Sequence, residues 1–401
     1  MKSDPAPERV RVSGPLRPFV DGFCAHLLER GYSLWSAQFH LQFLAHVSRW
    51  LEAEGLDVSG LTPQAVDRFL AERRRQGYAA RLSPNGVRPL LWYLDGLGVL
   101  PAEEVAPTPV EQLLDAFCSY LLEERGLVPG SVRLYARVAR RFLEERPEPL
   151  DDALARLSVA EINGFVLRES RRVGQRAAET VVCSLRSLLR FLHVQGVIAE
   201  PLALVVPSVA RRREDLPRRL AAREVGLLLD SCDRSTAIGR RDYAILKLLA
   251  RLGLRCGEVA VLELDDVEWR AGEITVRGKG SKIDRLPLPS DVGEAVADYL
   301  CGGRPRGFGR TMFLRSCAPL VGMSSNGVSC VVLSACKRAG IPPAMAHRLR
   351  HTVASELVDR GAGLPEIGQV LRHQRLQTTA IYAKVDRSAL SRLALPWPGR
   401  S

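Results

Sequence analysis

The sequence predicts a mainly α-helical protein with a small β-hairpin, and three observations lead there. Apolar residues recur at i, i+3 and i+4 through most of the chain, the period of helices with one buried face. The helical pattern of the first 210 residues is duplicated, which predicts two modules of one kind. One stretch, "WRAGEITVRGKGSKIDRLPLP" from Trp269 to Pro289, alternates with the period of strands around a Gly-rich turn.

The two copies keep their anchors in order. "FCAHLLERG" (Phe23 to Gly31) matches "FCSYLLEERG" (Phe117 to Gly126), and "RWL" from Arg49 answers "RFL" from Arg141. Leu61-Thr62 opens a helix carrying Val66, Phe69 and Leu70, while Leu157-Ser158 opens one carrying Ile162, Phe165 and Val166. "LLWYLDGLGVL" (Leu90 to Leu100) and "LLRFLHVQGVI" (Leu188 to Ile198) both close on Gly-Val, where glycine suits a helix C-cap. The expected modules, of about four helices each, are residues 1–105 and 106–206, with "APTP" at 106–109 between them.

"VPSVARRREDLPRRL" follows, with two prolines, five arginines and no apolar period, and it predicts an exposed linker over 207–219. The remaining residues, 220–401, read as a mixed, mostly helical domain. "RRDYAILKLLARLGL" is apolar almost all round and predicts a buried helix with Arg255 at its exit. In the hairpin, Ile274 and Val276 alternate with Thr275 and Arg277, "GKGS" turns, and Ile283 to Leu288 returns, placing Lys279 at or beside the tip.

"AHRLRHTVASELVDRG" puts His347, Arg350 and His351 on one helical face and Leu349, Val353 and Leu357 on another, with Gly361 ending the helix. Pro365 starts the next helix, with Ile367, Val370 and Leu371 facing inward and His373 at its end. Thr378 or Thr379 can cap a last helix that carries Tyr382 in its first turn.

Composition narrows the partners. Hydrophobic residues at 46% and charged residues at 25% exclude the disordered and membrane-embedded classes. A net charge of +12, mostly arginine, points to a polyanion, with a merely solvated basic face as the competing reading. Nine cysteines without a C-x-x-C pair fit a reducing compartment. The start "MKSDPAPERVRVSG" lacks an apolar leader and no run is long enough to span a bilayer, so a cytoplasmic protein without membrane contact is expected.

His347, His351 and His373 would suit a zinc site by spacing, but Arg348, Arg350, Arg372 and Arg375 would repel a cation and no glutamate sits where a metallohydrolase needs its base. Two structural histidines on a packed helix are the competing reading, while Arg255, at the exit of a buried helix, suits an arginine aimed at an anion. Arg255, Lys279, "HRLRH" (His347 to His351), "LRH" (Leu371 to His373) and Tyr382 together resemble the signature of the tyrosine recombinase (phage integrase) family. Order and spacing match, with 23 residues from Arg350 to His373 and nine from His373 to Tyr382. Residues 106–206 resemble the family's core-binding domain. Arg372 and Cys256 depart from it, standing where smaller residues are common.

The resemblance implies a catalytic tyrosine-recombinase domain of α+β type behind core-binding-type helical modules, and six catalytic residues. Tyr382 would be the nucleophile, Arg255 and Arg350 the donors to the non-bridging phosphate oxygens, and Lys279 the acid for the leaving oxygen. His347 would be the base and His373 a phosphate hydrogen-bond donor, leaving His351 as a structural neighbour of Arg350. It further implies double-stranded DNA as partner and a homo-tetramer on paired sites, with a monomer or weak oligomer off DNA. Neither metal nor other cofactor is expected, because the phosphotyrosyl bond retains the energy of the cut strand.

Further DNA contacts are expected from Arg133, Arg137, Arg141, Arg211, Arg212, Arg213 and Lys282. Glu258 is either an orienting partner of Arg255 or an exposed helix acid. The tail, with Leu390 and Leu393, is expected to form a helix that docks on a neighbouring protomer. Integration, excision or transposition of a mobile element is the expected role, against a topoisomerase IB-like relaxing enzyme or a non-catalytic DNA-binding protein of the same fold.

Overall fold

The computed structural model describes residues 7–100, 107–209, 219–278 and 282–372, together with Thr379 and Tyr382. It divides into two compact units, one of Ala102–Glu214 and one joining Met1–Pro101 to Asp215–Ser401. Among the described residues no helix is long and apolar enough to cross a membrane.

The first module contains α1 (Val20–Glu29), α2 (Leu34–Ala53), α3 (Pro63–Arg75) and α4 (Pro84–Gly96). Ser33 and Thr62 cap α2 and α3, accepting the Ser36 and Ala65 amides, and Pro63 fills the first turn, where no amide is needed. The second contains α5 (Pro109–Ser119), α6 (Pro129–Glu144), α7 (Leu150–Ala155), α8 (Val159–Arg172) and α9 (Gln175–Val194), one short helix more than its counterpart. Thr108 and Ser158 open α5 and α8 with reciprocal capping by Glu111 and Glu161.

The duplication is visible in the packing. Phe23 and Phe117, Leu27 and Leu121, Phe69 and Phe165, and Leu94 and Leu192 are all buried, each in the core of its own module. Leu28 and Leu122 both face outward. The closing glycines Gly98 and Gly196 both adopt the left-handed backbone, φ +68° and +73°, that a helix C-cap needs.

The last segment contains α10 (Ala222–Asp230), α11 (Ala237–Arg251) and α12 (Cys256–Ala260). The strands β1 (Val267–Glu268), β2 (Glu273–Arg277) and β3 (Ile283–Pro287) come next. Helices α13 (Ser290–Gly302), α14 (Ser325–Arg338), α15 (Ala346–Asp359) and α16 (Leu364–Val370) follow among the described residues. The strands form one antiparallel sheet in sequence order, with Ile274 opposite Leu286 and Val276 opposite Asp284. Ile274 and Val276 enter a core built around Ile245, Leu248 and Leu249 of α11, whereas alternate residues of β3 stay exposed, as expected of an outer strand. A smaller cluster gathers Val353, Val358, Ile367, Leu371 and Tyr382.

The first module touches this segment inside their shared unit. The Leu320 amide donates to the Arg30 carbonyl at 2.9 Å, next to Gly31 at φ +80°. A Cβ at Gly31 would lie 2.5 Å from Leu320 Cδ1, so a side chain there would both strain the backbone and displace Leu320.

Candidate active site

Helix α11 ends because the chain turns at Gly253, φ +59°, where an added Cβ would lie 2.9 Å from Leu371 Cδ2. The turn buries Leu254 and brings Arg255 out in an extended conformation at the start of α12. Glu258, one turn on, is almost fully buried. Its Oε2 accepts the Arg255 amide at 2.8 Å and its Oε1 the Arg255 guanidinium at 2.5 Å. Burial would raise the Glu258 pKa, but the Arg255 amide and the charges of Arg372 and Arg255 outweigh it and hold the carboxyl below its usual range. Glu258 is therefore a buried orienting partner and not an exposed acid.

Arg350 projects from α15 and is 3% exposed. Its Nη1 donates to the Gly253 carbonyl at 2.5 Å and its Nη2 to the Leu371 carbonyl. Burial, reinforced by repulsion from Arg255, draws its pKa down to about 10, which still leaves it charged at pH 7. Arg255 donates through Nη2 to the Arg372 carbonyl at 3.4 Å. Two guanidiniums from distant positions thus converge on the turn at 371–372. Planar fixed donors of this kind suit the oxygens of a phosphodiester.

Tyr382 is 1% exposed. Its hydroxyl lies 2.7 Å from Nδ1 of His351, and burial raises its pKa while the Arg350 charge opposes the shift. His347, one helical turn before His351, is exposed, and the two imidazoles lie 5.7 Å apart. The ring contacting the tyrosine is therefore that of His351, expected from the sequence only as a structural neighbour of Arg350. The i, i+4 spacing placed both histidines on one face but did not say which would meet a residue 31 positions away.

Other expectations divide. Lys279, His373, Arg211, Arg212, Arg213 and the tail after Tyr382 lie outside the described residues, as does Thr378. Arg133 and Arg137 are exposed on α6, one turn apart. Arg141 pairs with the buried carboxylate of Glu169 at 2.5 Å and remains partly exposed. Lys282 is exposed and pairs with Asp284 at 3.3 Å. Val370, expected to face inward, is 43% exposed, since the helix turns Ile367 and Leu371 to the cluster instead. Arg372 is buried, and no sequence signal marked it as part of this network.

Comparisons with known proteins bear on the family and the fold. Residues 218–388 match the phage integrase family. The integrase/recombinase y4rA of Sinorhizobium fredii is 41% identical over 97% of this chain and 96% of its own length. The tyrosine recombinase XerD of Listeria innocua is 29% identical over 70% of this chain and 96% of its own. Among solved structures, a lambda integrase tetramer bound to a Holliday junction superposes with a TM-score of 0.53 at 16% identity, covering 78% of this chain and 87% of that one.

Proposed function

The chain belongs to the phage integrase family and is a tyrosine recombinase, and from that premise we propose that Tyr382 cuts DNA by forming a 3′-phosphotyrosyl bond within the site described. The Tyr382 oxygen attacks the scissile phosphorus, its proton passes to a base, and the 5′-hydroxyl of the cut strand leaves with a proton from an acid. Reversal by a 5′-hydroxyl from another strand completes recombination, with the phosphodiester energy kept in the protein link throughout.

Negative charge grows on the non-bridging oxygens as phosphorus becomes pentacoordinate. Arg255 and Arg350 donate to them, and positioned charge of this kind is the main lever in phosphoryl transfer. Lys279 serves as the acid, His347 as the base and His373 as a further phosphate donor. Proton transfers of this type contribute on the order of 10²–10⁴ in rate each. The observation that carries the reading is the convergence of Arg255 and Arg350 on one turn, with Tyr382 packed in the same small cluster as Leu371 of that turn and its hydroxyl at His351.

Residues 106–206 act as a core-binding domain, with Arg133 and Arg137 reaching DNA phosphates from one face of α6. Residues 1–105 form a second module of the same kind, residues 207–219 a basic linker between the modules and the catalytic domain at 220–401. Lambda integrase has been seen as a tetramer on a Holliday junction, and four copies of this chain are proposed to assemble on paired sites in the same way. The products serve integration, excision or transposition of a mobile element in the cytoplasm.

The test is capture of the covalent complex on random genomic fragments, followed by sequencing of the attached ends. A unique end sequence joined to Tyr382 is expected. Adduct formation by the Tyr382→Phe protein would overturn the nucleophile assignment.

A further inference from the structure

Arg372 lies outside the six residues given a role, yet the protein maintains it at visible cost. Its φ of +55° is one that side chains other than glycine rarely adopt, a strain of about 1 kcal/mol or more. Its side chain is 4% exposed, so a full charge has been taken out of water. Its Nε is buried without a hydrogen-bond partner. What the residue gains is Glu258: Nη2 donates to Glu258 Oε2 at 2.8 Å, opposite the oxygen that accepts the Arg255 guanidinium.

We propose that Arg372 is a positioning residue that neutralises Glu258, so that Glu258 can orient Arg255 without cancelling its charge. The proposal rests on the reading of Arg255 as a phosphate donor. A buried carboxylate paired with Arg255 alone would make a neutral couple, fixed in place but a poor attractor of anions. With Arg372 as a second cation, the trio of Arg255, Glu258 and Arg372 carries a net charge of +1, and the outward-facing member is Arg255, 33% exposed. The left-handed backbone serves the same end. It turns the Arg372 carbonyl to Arg255 while its side chain returns to Glu258, so one residue holds Arg255 directly and through the carboxylate. Low local dielectric makes this difference large.

The experiment measures single-turnover covalent adduct formation on a nicked DNA duplex, beside DNA affinity, for the full chain. Arg372→Gly suits the backbone angle, and it is expected to slow adduct formation about tenfold at unchanged affinity. Adding Glu258→Gln to it removes the charge that Arg372 balanced, and recovery to within about threefold of the parent is expected. Arg372→Lys, which keeps the charge, is expected to stay within that same range and answers the question should the glycine variant fail to fold. A parent-like rate in Arg372→Gly, no recovery in the double variant, or a lysine variant as slow as glycine would each overturn the proposal. Arg255→Ala separates the two readings. If it cleaves like the parent, the phosphate assignment falls; if it is slow while Arg372→Gly is not, only the role of Arg372 falls.

Discussion

The Tyr382 hydroxyl and Nδ1 of His351 lie 2.7 Å apart, joining a residue near the end of the chain to the middle of α15. Replacing Tyr382 by Phe should abolish the covalent adduct on denaturing gels while retaining DNA binding in gel shift. It should also leave a half-buried imidazole without this partner, lowering stability by about 1 kcal/mol. Adduct surviving in Tyr382→Phe would transfer the nucleophile to another side chain.

Burial places the Tyr382 pKa above the ordinary phenol value of 10, so the hydroxyl is protonated throughout the neutral range. A tyrosine ionising unaided would therefore react about tenfold faster per pH unit from 6 to 9. With a histidine taking the proton, the rate instead levels off once that imidazole is neutral. We expect the plateau in the parent and the uninterrupted climb in His347→Ala, both read from single-turnover adduct rates across pH; a climb in His351→Ala with the plateau kept in His347→Ala would move the base to the ring at the Tyr382 hydroxyl.

Gly253 combines φ +59°, close contact with Leu371 and a carbonyl that accepts from Arg350. In Gly253→Ala the strained backbone should cost about 1–2 kcal/mol in urea unfolding. Adduct formation should fall as well, although residue 253 touches no substrate. An alanine variant with parental rate would show that Arg350 does not depend on that carbonyl.

His40 provides a pH test remote from the chemistry. Burial, with Arg81 adding to it, lowers its pKa from 6.5 to about 4. Between these values the unfolded chain binds the extra proton and the folded chain does not, so stability rises with pH across this window. The contribution is complete above about 6.5 and is lost as pH falls through 4. After discounting for partial exposure, it amounts to roughly 1–2 kcal/mol. His40→Leu should flatten that part of the thermal-stability profile between pH 4 and 6.5, and an unchanged slope would rule His40 out as its source.

Residues whose roles follow from local pattern were legible in the sequence. Phe23 and Phe117 could be paired because each repeats an apolar helical face, and Ile274 and Val276 because a strand alternates. Arg255 stands at the exit of a buried helix and Arg350 on the face that carries His347 and His351, and only the family resemblance joins the two. The two-residue strand β1 was too short to leave a periodic trace. Arg372 was illegible for a different reason: intrinsic preference argues against an arginine at φ +55°, and the ion pair with Glu258, 114 positions away, is what overrides it. The same holds for Arg141, whose partner Glu169 comes from another helix, and for His351, chosen over His347 by a contact that only the folded chain makes.

The burial of Tyr382 bears on how the protein behaves between encounters with its target. Tyr382 is 1% exposed, so with the nucleophile proposed above each cleavage would begin with a movement that bares the hydroxyl. On that reading the free protein would leave stray duplexes uncut. Its observed speed is the intrinsic chemical speed multiplied by the fraction of molecules in the bared form. Anything that raises that fraction only on a correctly paired site turns a weak preference in binding into a strong preference in cutting, and fidelity becomes a matter of timing as well as of base recognition.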